Sequence, residues 1–187
     1  MTAPERPALL ARIRFRDAGT LLGLVLIALV FALLTPVFLT GPNLMNILQQ
    51  SSINACIALG MTLVIISGGI DLSVGPVAAL SAVLGAAMMV AGVPVPLAVL
   101  GALAVGAACG LFNGALIAWG GLQPFIVTLG GLSLFRAFAL IYTGGTPIFG
   151  IPPGFRDLTN GTVLGLPNPV LIVIVLAALA RVILNRT

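Results

Sequence analysis

The chain has no lysine and no histidine, and only 6% of its 187 residues are charged. Without lysine it cannot carry the G-x-x-x-x-G-K-[ST] loop that cradles nucleotide phosphates, which excludes ATP hydrolysis by that route. Without histidine it lacks the usual general base and the commonest metal ligand. Its two cysteines, Cys56 and Cys109, stand far apart in apolar sequence with no C-x-x-C spacing, and read as small packing residues rather than a disulfide or zinc site. Neither an enzyme nor a bound cofactor or metal is expected. Acids are scarcer still: four of them against eight arginines give a net charge of +4. No segment forms a basic face with interleaved aromatics, so nucleic acid is not an expected partner despite a pI of about 10.6.

What fills the chain instead is apolar. Hydrophobic residues make up 60% of it and mean hydropathy is +1.25, whereas an average soluble domain has roughly 25% charged residues. This composition predicts an all-α, polytopic helical membrane protein. A helix needs about 20 apolar residues to cross the hydrocarbon core. On that ruler residues 1–17 form a tail, and six spans follow at about 18–39, 52–67, 73–90, 96–119, 124–142 and 169–184. Pro76, Pro96, Pro124 and Pro169 fall in first turns, where a missing N–H is harmless. Glycine pairs at 68–69, 120–121 and 144–145 offer exits through positive φ.

Arg6, Arg12, Arg14 and Arg16 precede the first span, and the positive-inside rule places them in the cytoplasm. Six spans return the chain to that side, where Arg181 and Arg186 agree, leaving only Arg156 outside, next to Asp157. The first span is long and lacks an A-x-A-like cleavage site, so it is expected to remain as an anchor rather than a signal peptide. Residues 143–168 show no helical periodicity and read as an outside loop. Trp119 and Tyr142, at span ends, read as interfacial anchors. In the fourth span Ala98, Ala102, Gly106, Gly110, Gly114 and Ala118 recur every fourth residue. The ridge they form, with almost no side chain, lets another helix backbone approach, either within one bundle or across a dimer seam.

Asp71 is the only charged residue between Asp17 and Arg136, and it lies in the run GGIDLSVG at 68–75. A charge at the bilayer centre costs about 2.5–3.5 kcal/mol on insertion scales, so it needs a reason. Ser73 is the best start for the third helix, with Pro76 at its third position. Asp71 could then accept the Ser73 N–H in an Asx-type turn at the positive helix end, or stand in a solute path, and the two roles are compatible. Arg136, in the middle of the fifth span, needs acceptors, either Asp71 or helix-end carbonyls. Gln49, Gln50 and Asn54 belong to a polar cluster before the second span, whose groups suit sugar hydroxyls or helix capping. Asn113 and Thr128 read as interhelical links.

Three blocks carry a resemblance: NLMNILQQ at 43–50, GMTLVIISGGIDLSVG at 60–75 and QPFIVTLG at 123–130. They resemble the membrane subunits of bacterial ribose-type ABC importers over nearly all of the chain after its tail. The resemblance implies a permease in the bacterial inner membrane, pairing with a second permease subunit. It further implies a cytoplasmic ABC ATPase, a periplasmic solute-binding protein and a monosaccharide or similar small substrate. Two departures stand out. The family usually has a small polar residue where Pro76 stands, and its members continue past a segment like LNRT at 184–187 into an ATPase-contacting loop and further spans, so an N-terminal fragment is expected. The rival reading from the residues alone is a small oligomeric channel or scaffold packed through Gly106, Gly110 and Gly114.

Overall fold

The structure, a computed structural model, describes residues 15–186. It contains seven helices among the described residues: α1 (Phe15–Leu34), α2 (Gly41–Ile66), α3 (Val74–Val90), α4 (Val95–Ala118), α5 (Pro124–Thr143), α6 (Pro153–Asn160) and α7 (Asn168–Arg186). A two-residue hairpin, β1 (Thr162–Val163) with β2 (Leu166–Pro167), pairs antiparallel between α6 and α7. The basic tail through Arg14 lies outside the described residues.

Two compact units divide the chain between Ile47 and Leu48. In the first, α1 stops at Leu34, five residues before the expected Leu39, because Pro36 cannot continue it and residues 36–39 turn instead. Phe31 and Phe38 stack across this turn with ring centroids 5.7 Å apart. The Thr40 hydroxyl donates to Val37 O at 2.7 Å, and the Asn43 amide to Phe38 O at 2.7 Å.

In the second unit α3 packs on both α4 and α5. Leu80, Cys109, Phe135 and Ala139 form its buried core, with Val77, Leu84 and Val105 against it. The small-residue ridge of α4 divides into two parts. Its first half meets α3 closely: a methyl added at Gly85 would fall 2.9 Å from Ala102 Cβ, and one at Gly106 would fall 3.2 Å from the Ser81 hydroxyl. Gly110 and Gly114 meet nothing within 4 Å of the same position, so the packing expected of them has no partner within this chain among the described residues.

Burial runs opposite to that of a water-soluble domain. Ser73 is 0% exposed, whereas Leu111 is 74% and Ile141 77% exposed. Apolar surface on that scale needs a nonaqueous neighbour. Helices α2, α4 and α5 are long and apolar enough to cross a membrane, and α3, Gly19–Leu34 and Asn168–Val182 are shorter apolar helices. The chain is a polytopic helical membrane protein.

Two sequence expectations need correction. The second span was expected from Ser52, but α2 begins at Gly41, so Gln49 and Gln50 lie inside the helix rather than before it, together with Asn54. The helix carries these polar residues in two ways: Gln49 reaches another element, and Gln50 and Asn54 are exposed; the nearby Ser52 hydroxyl bonds back to Leu48 O at 2.7 Å. The 143–168 segment is not wholly irregular either. Pro153 opens α6, whose Phe155 and Leu158 share one face. The hairpin turns through Leu164 (φ 54°) and Gly165 (φ 77°), the two positive values that a tight two-residue connection requires.

Candidate functional site

Helix α2 ends at Ile66 and α3 starts at Val74, and the seven residues between them are neither helix nor strand. Gly68, at φ 84°, turns the chain out of α2, while the Gly69 N–H returns to Val64 O at 3.0 Å. The other end is closed by Ser73, whose carbonyl accepts the first bond of α3 from the Val77 N–H at 2.9 Å. Pro76 therefore sits at the third helical position, where its ring displaces no intrahelical bond.

The side chain of Ser73, at φ −85° and ψ −9° rather than in the extended geometry of a side-chain cap, is turned to another use. An N-cap hydroxyl normally accepts from the N–H of the second or third helical residue, and the third has none here. The Ser73 hydroxyl makes no cap bond. It donates instead to Asp71 Oδ1 at 2.6 Å, and the Ser73 backbone N–H donates to the same oxygen at 2.8 Å. This is the Asx-type turn anticipated from the sequence, with a second bond added.

Two neighbouring helices hold this turn. From α4 the Asn113 amide Nδ2 donates to the Ser73 hydroxyl at 2.9 Å, which completes a directed relay from Asn113 through Ser73 to Asp71. The carboxylate accepts only, so the hydroxyl proton must point toward it and the amide must present its nitrogen. Asn113 is 4% exposed, and its Oδ1 has no partner among the described residues. The amide fits because residue 131 is glycine: a methyl there would lie 3.1 Å from both amide atoms. From α5 the Thr128 hydroxyl lies 3.1 Å from Ile70 O, in the break, and 2.9 Å from Pro124 O, so one proton serves two carbonyls.

A cavity of about 300 Å³ opens beside the break, lined by Asp71, Asn113, Thr128, Gly68, Gly110 and Gly114 among others. A larger apolar groove of about 1280 Å³ runs along α3 and α4 and includes Arg136. The sequence-predicted residues thus separate. Asp71 and Ser73 share one site. Arg136 is exposed and lines the other cavity, and Asp71 directs its bonds to Ser73. Gln49, Gln50 and Asn54 line neither cavity; Gln49 Nε2 donates to Thr159 O at 3.0 Å and Asn160 Oδ1 at 3.2 Å, tying α2 to α6. Asn113 and Thr128 do link helices, but the sequence did not reveal that their targets are the Asp71 turn. The available signal was Asn113 itself, the only amide in α4.

A polar, irregular segment clamped between apolar helices defines a membrane protein with a broken-helix site. The chain belongs to the family described as branched-chain amino acid transport system / permease component, whose pattern matches residues 43–187. It is 42% identical over 171 residues to the ribose import permease protein of Bacillus subtilis, covering 90% of this chain and 53% of that protein. It is 38% identical over 170 residues to the D-allose transport system permease protein of Escherichia coli, covering 90% and 52% respectively. An autoinducer 2 import system permease protein of Salmonella typhi is 34% identical over 172 residues, covering 92% of this chain and 50% of that protein. The chain spans about half the length of the curated relatives it matches. No solved structure matches it.

Proposed function

We propose that the chain forms part of the transmembrane permease of an ATP-driven importer for a monosaccharide or a related small solute. One observation carries this reading: an irregular polar backbone segment inside an apolar helical bundle, in a family of transport permeases. Non-helical backbone at membrane depth is tolerated where it is enclosed by protein or lines a wet cavity, and broken helices are a common way to build a transport site. Relatives named for ribose, D-allose and autoinducer 2 import support a small polar solute.

In this reading α1 to α5 and α7 are six crossings of the bacterial inner membrane with the N-terminus in the cytoplasm. The solute moves by alternating access, with no covalent chemistry in this subunit. A cytoplasmic ATPase supplies the energy, a periplasmic binding protein delivers the solute, and a second permease subunit completes the path. The bare surface at Gly110 and Gly114 favours a second reading, an oligomeric channel or scaffold sealed through that ridge.

Affinity purification of the tagged chain from its own host membrane separates the two. The importer reading expects a P-loop ATPase to co-purify, and vesicles holding the complex to accumulate labelled sugar only with ATP. Solute flux from the chain alone, indifferent to ATP, would establish the channel instead.

A further inference from the structure

The two oxygens of Asp71 are used unequally. Oδ1 takes both donors from Ser73, and among the described residues no donor reaches Oδ2. Nor is Oδ2 sealed off, since the buried polar side-chain atoms without partners are Ser81 Oγ and Asn113 Oδ1, and Asp71 lines the cavity beside the break. A turn-forming role needs one acceptor oxygen and no charge; asparagine would supply it. The charge and the second oxygen are left without a structural task.

We infer that Asp71 Oδ2 accepts hydroxyl groups of a polyhydroxy solute seated in this cavity. The inference rests on the permease reading above and names the solute's contact within it. Two observations agree. The cavity, about 300 Å³, falls at the lower end of the roughly 300–1,000 Å³ typical of small-molecule sites. Its α4 wall includes Gly110 and Gly114, where a methyl would meet open space, so the glycines serve the volume of the cavity rather than contact with another helix among the described residues of this chain. Asn113, in the same wall, is sealed at its Oδ1 and serves the site through its Nδ2 bond to Ser73, which fixes the turn that presents Oδ2. A carboxylate flanked by glycine suits a neutral solute that offers donors, and disfavours an anion.

Asp71→Asn divides the two roles, because it keeps one carbonyl oxygen for the Ser73 donors and replaces the other acceptor with a donor. The chain in lipid nanodiscs would be photolabelled with a diazirine-bearing aldopentose and the labelled peptides mapped by mass spectrometry. Wild type should label within 64–73 and 110–128, and an excess of unlabelled aldopentose should compete. Asp71→Asn should lose label by about tenfold, the loss of one charge-assisted hydrogen bond, with helicity and melting unchanged. Gly114→Leu, which fills the cavity and leaves Asp71 in place, should lose label as well. Equal labelling of wild type and Asp71→Asn, labelling confined to other segments, or no labelling of wild type would each overturn the inference. Co-purification of the ATPase would still stand or fall separately, so the two failures are distinguishable.

Discussion

Replacing Gly85 with alanine would drive a methyl into a close approach of α3 to α4. Its Cβ would fall 2.9 Å from Ala102 Cβ and 3.6 Å from Ala98 O, and Ala98 is 0% exposed, so the facing surface has no slack. Overpacking of this kind typically costs about 1–3 kcal/mol. Alanine also favours a helix over glycine by about 1 kcal/mol, which offsets part of that cost. Gly110→Ala is the matched control, because it brings the same propensity gain and its methyl meets nothing within 4 Å. The difference between the two variants isolates the clash, and at about 2–4 °C per kcal/mol for a chain of this size it should appear as several degrees. Cys109 is buried and provides the readout. In a Cys56→Ser background, a fluorogenic maleimide would report its exposure on heating in detergent. Ala102→Gly should restore the melting point of Gly85→Ala by removing the opposing methyl. If Gly85→Ala melts at or above Gly110→Ala, the close α3–α4 contact does not exist and the account of the ridge is wrong.

Three further outcomes follow from the bonds that join one element to another. Asn113→Ala should remove the buried bond to Ser73 and destabilise the second unit by about 1–2 kcal/mol in the same thiol assay; no change would mean that the relay does not form. Thr128→Val keeps the shape and deletes the donor to Ile70 O, at a cost of about 0.5–1.5 kcal/mol. Hydrogen exchange should quicken in residues 68–73 and not along α5. Gln49→Ala should release the end of α6, seen as faster proteolysis between residues 153 and 168 while exchange in the Asp71 turn is unchanged. Coupled changes at both places would contradict the separation of Gln49 from that site.

Legibility from sequence followed the strength of the local chemistry. Proline and glycine constrain backbone directly, so the starts of α3, α4, α5 and α7 fall close to the expected positions, and Gly144, at φ 59°, closes α5 as the glycine pair implied. The Asx turn was legible for the same reason, since Asp71 and Ser73 interact over two residues. Polarity misled where a helix could satisfy it. Asn46 to Asn54 resembles loop sequence because its composition says nothing of bonds such as Ser52 to Leu48 O, which occupy that polar group inside a helix of 26 residues. Helix α6 is too short to establish a period within a stretch rich in Gly and Pro. Long-range partners were the least visible. Asn113 and Ser73 are 40 positions apart and Thr128 and Ile70 are 58, and no spacing rule joins residues on different helices.

The proline at the third position of α3 has an effect beyond the helix it opens. A serine hydroxyl donates once and accepts up to twice, so an N–H at residue 76 would be accepted without taking the hydroxyl proton from Asp71. With proline there, that position offers no donor, and among the described residues the hydroxyl oxygen accepts from Asn113 on α4. A missing hydrogen at the start of one helix thus leaves the oxygen's acceptance to a neighbouring helix, and the turn is tied across the bundle rather than along its own chain.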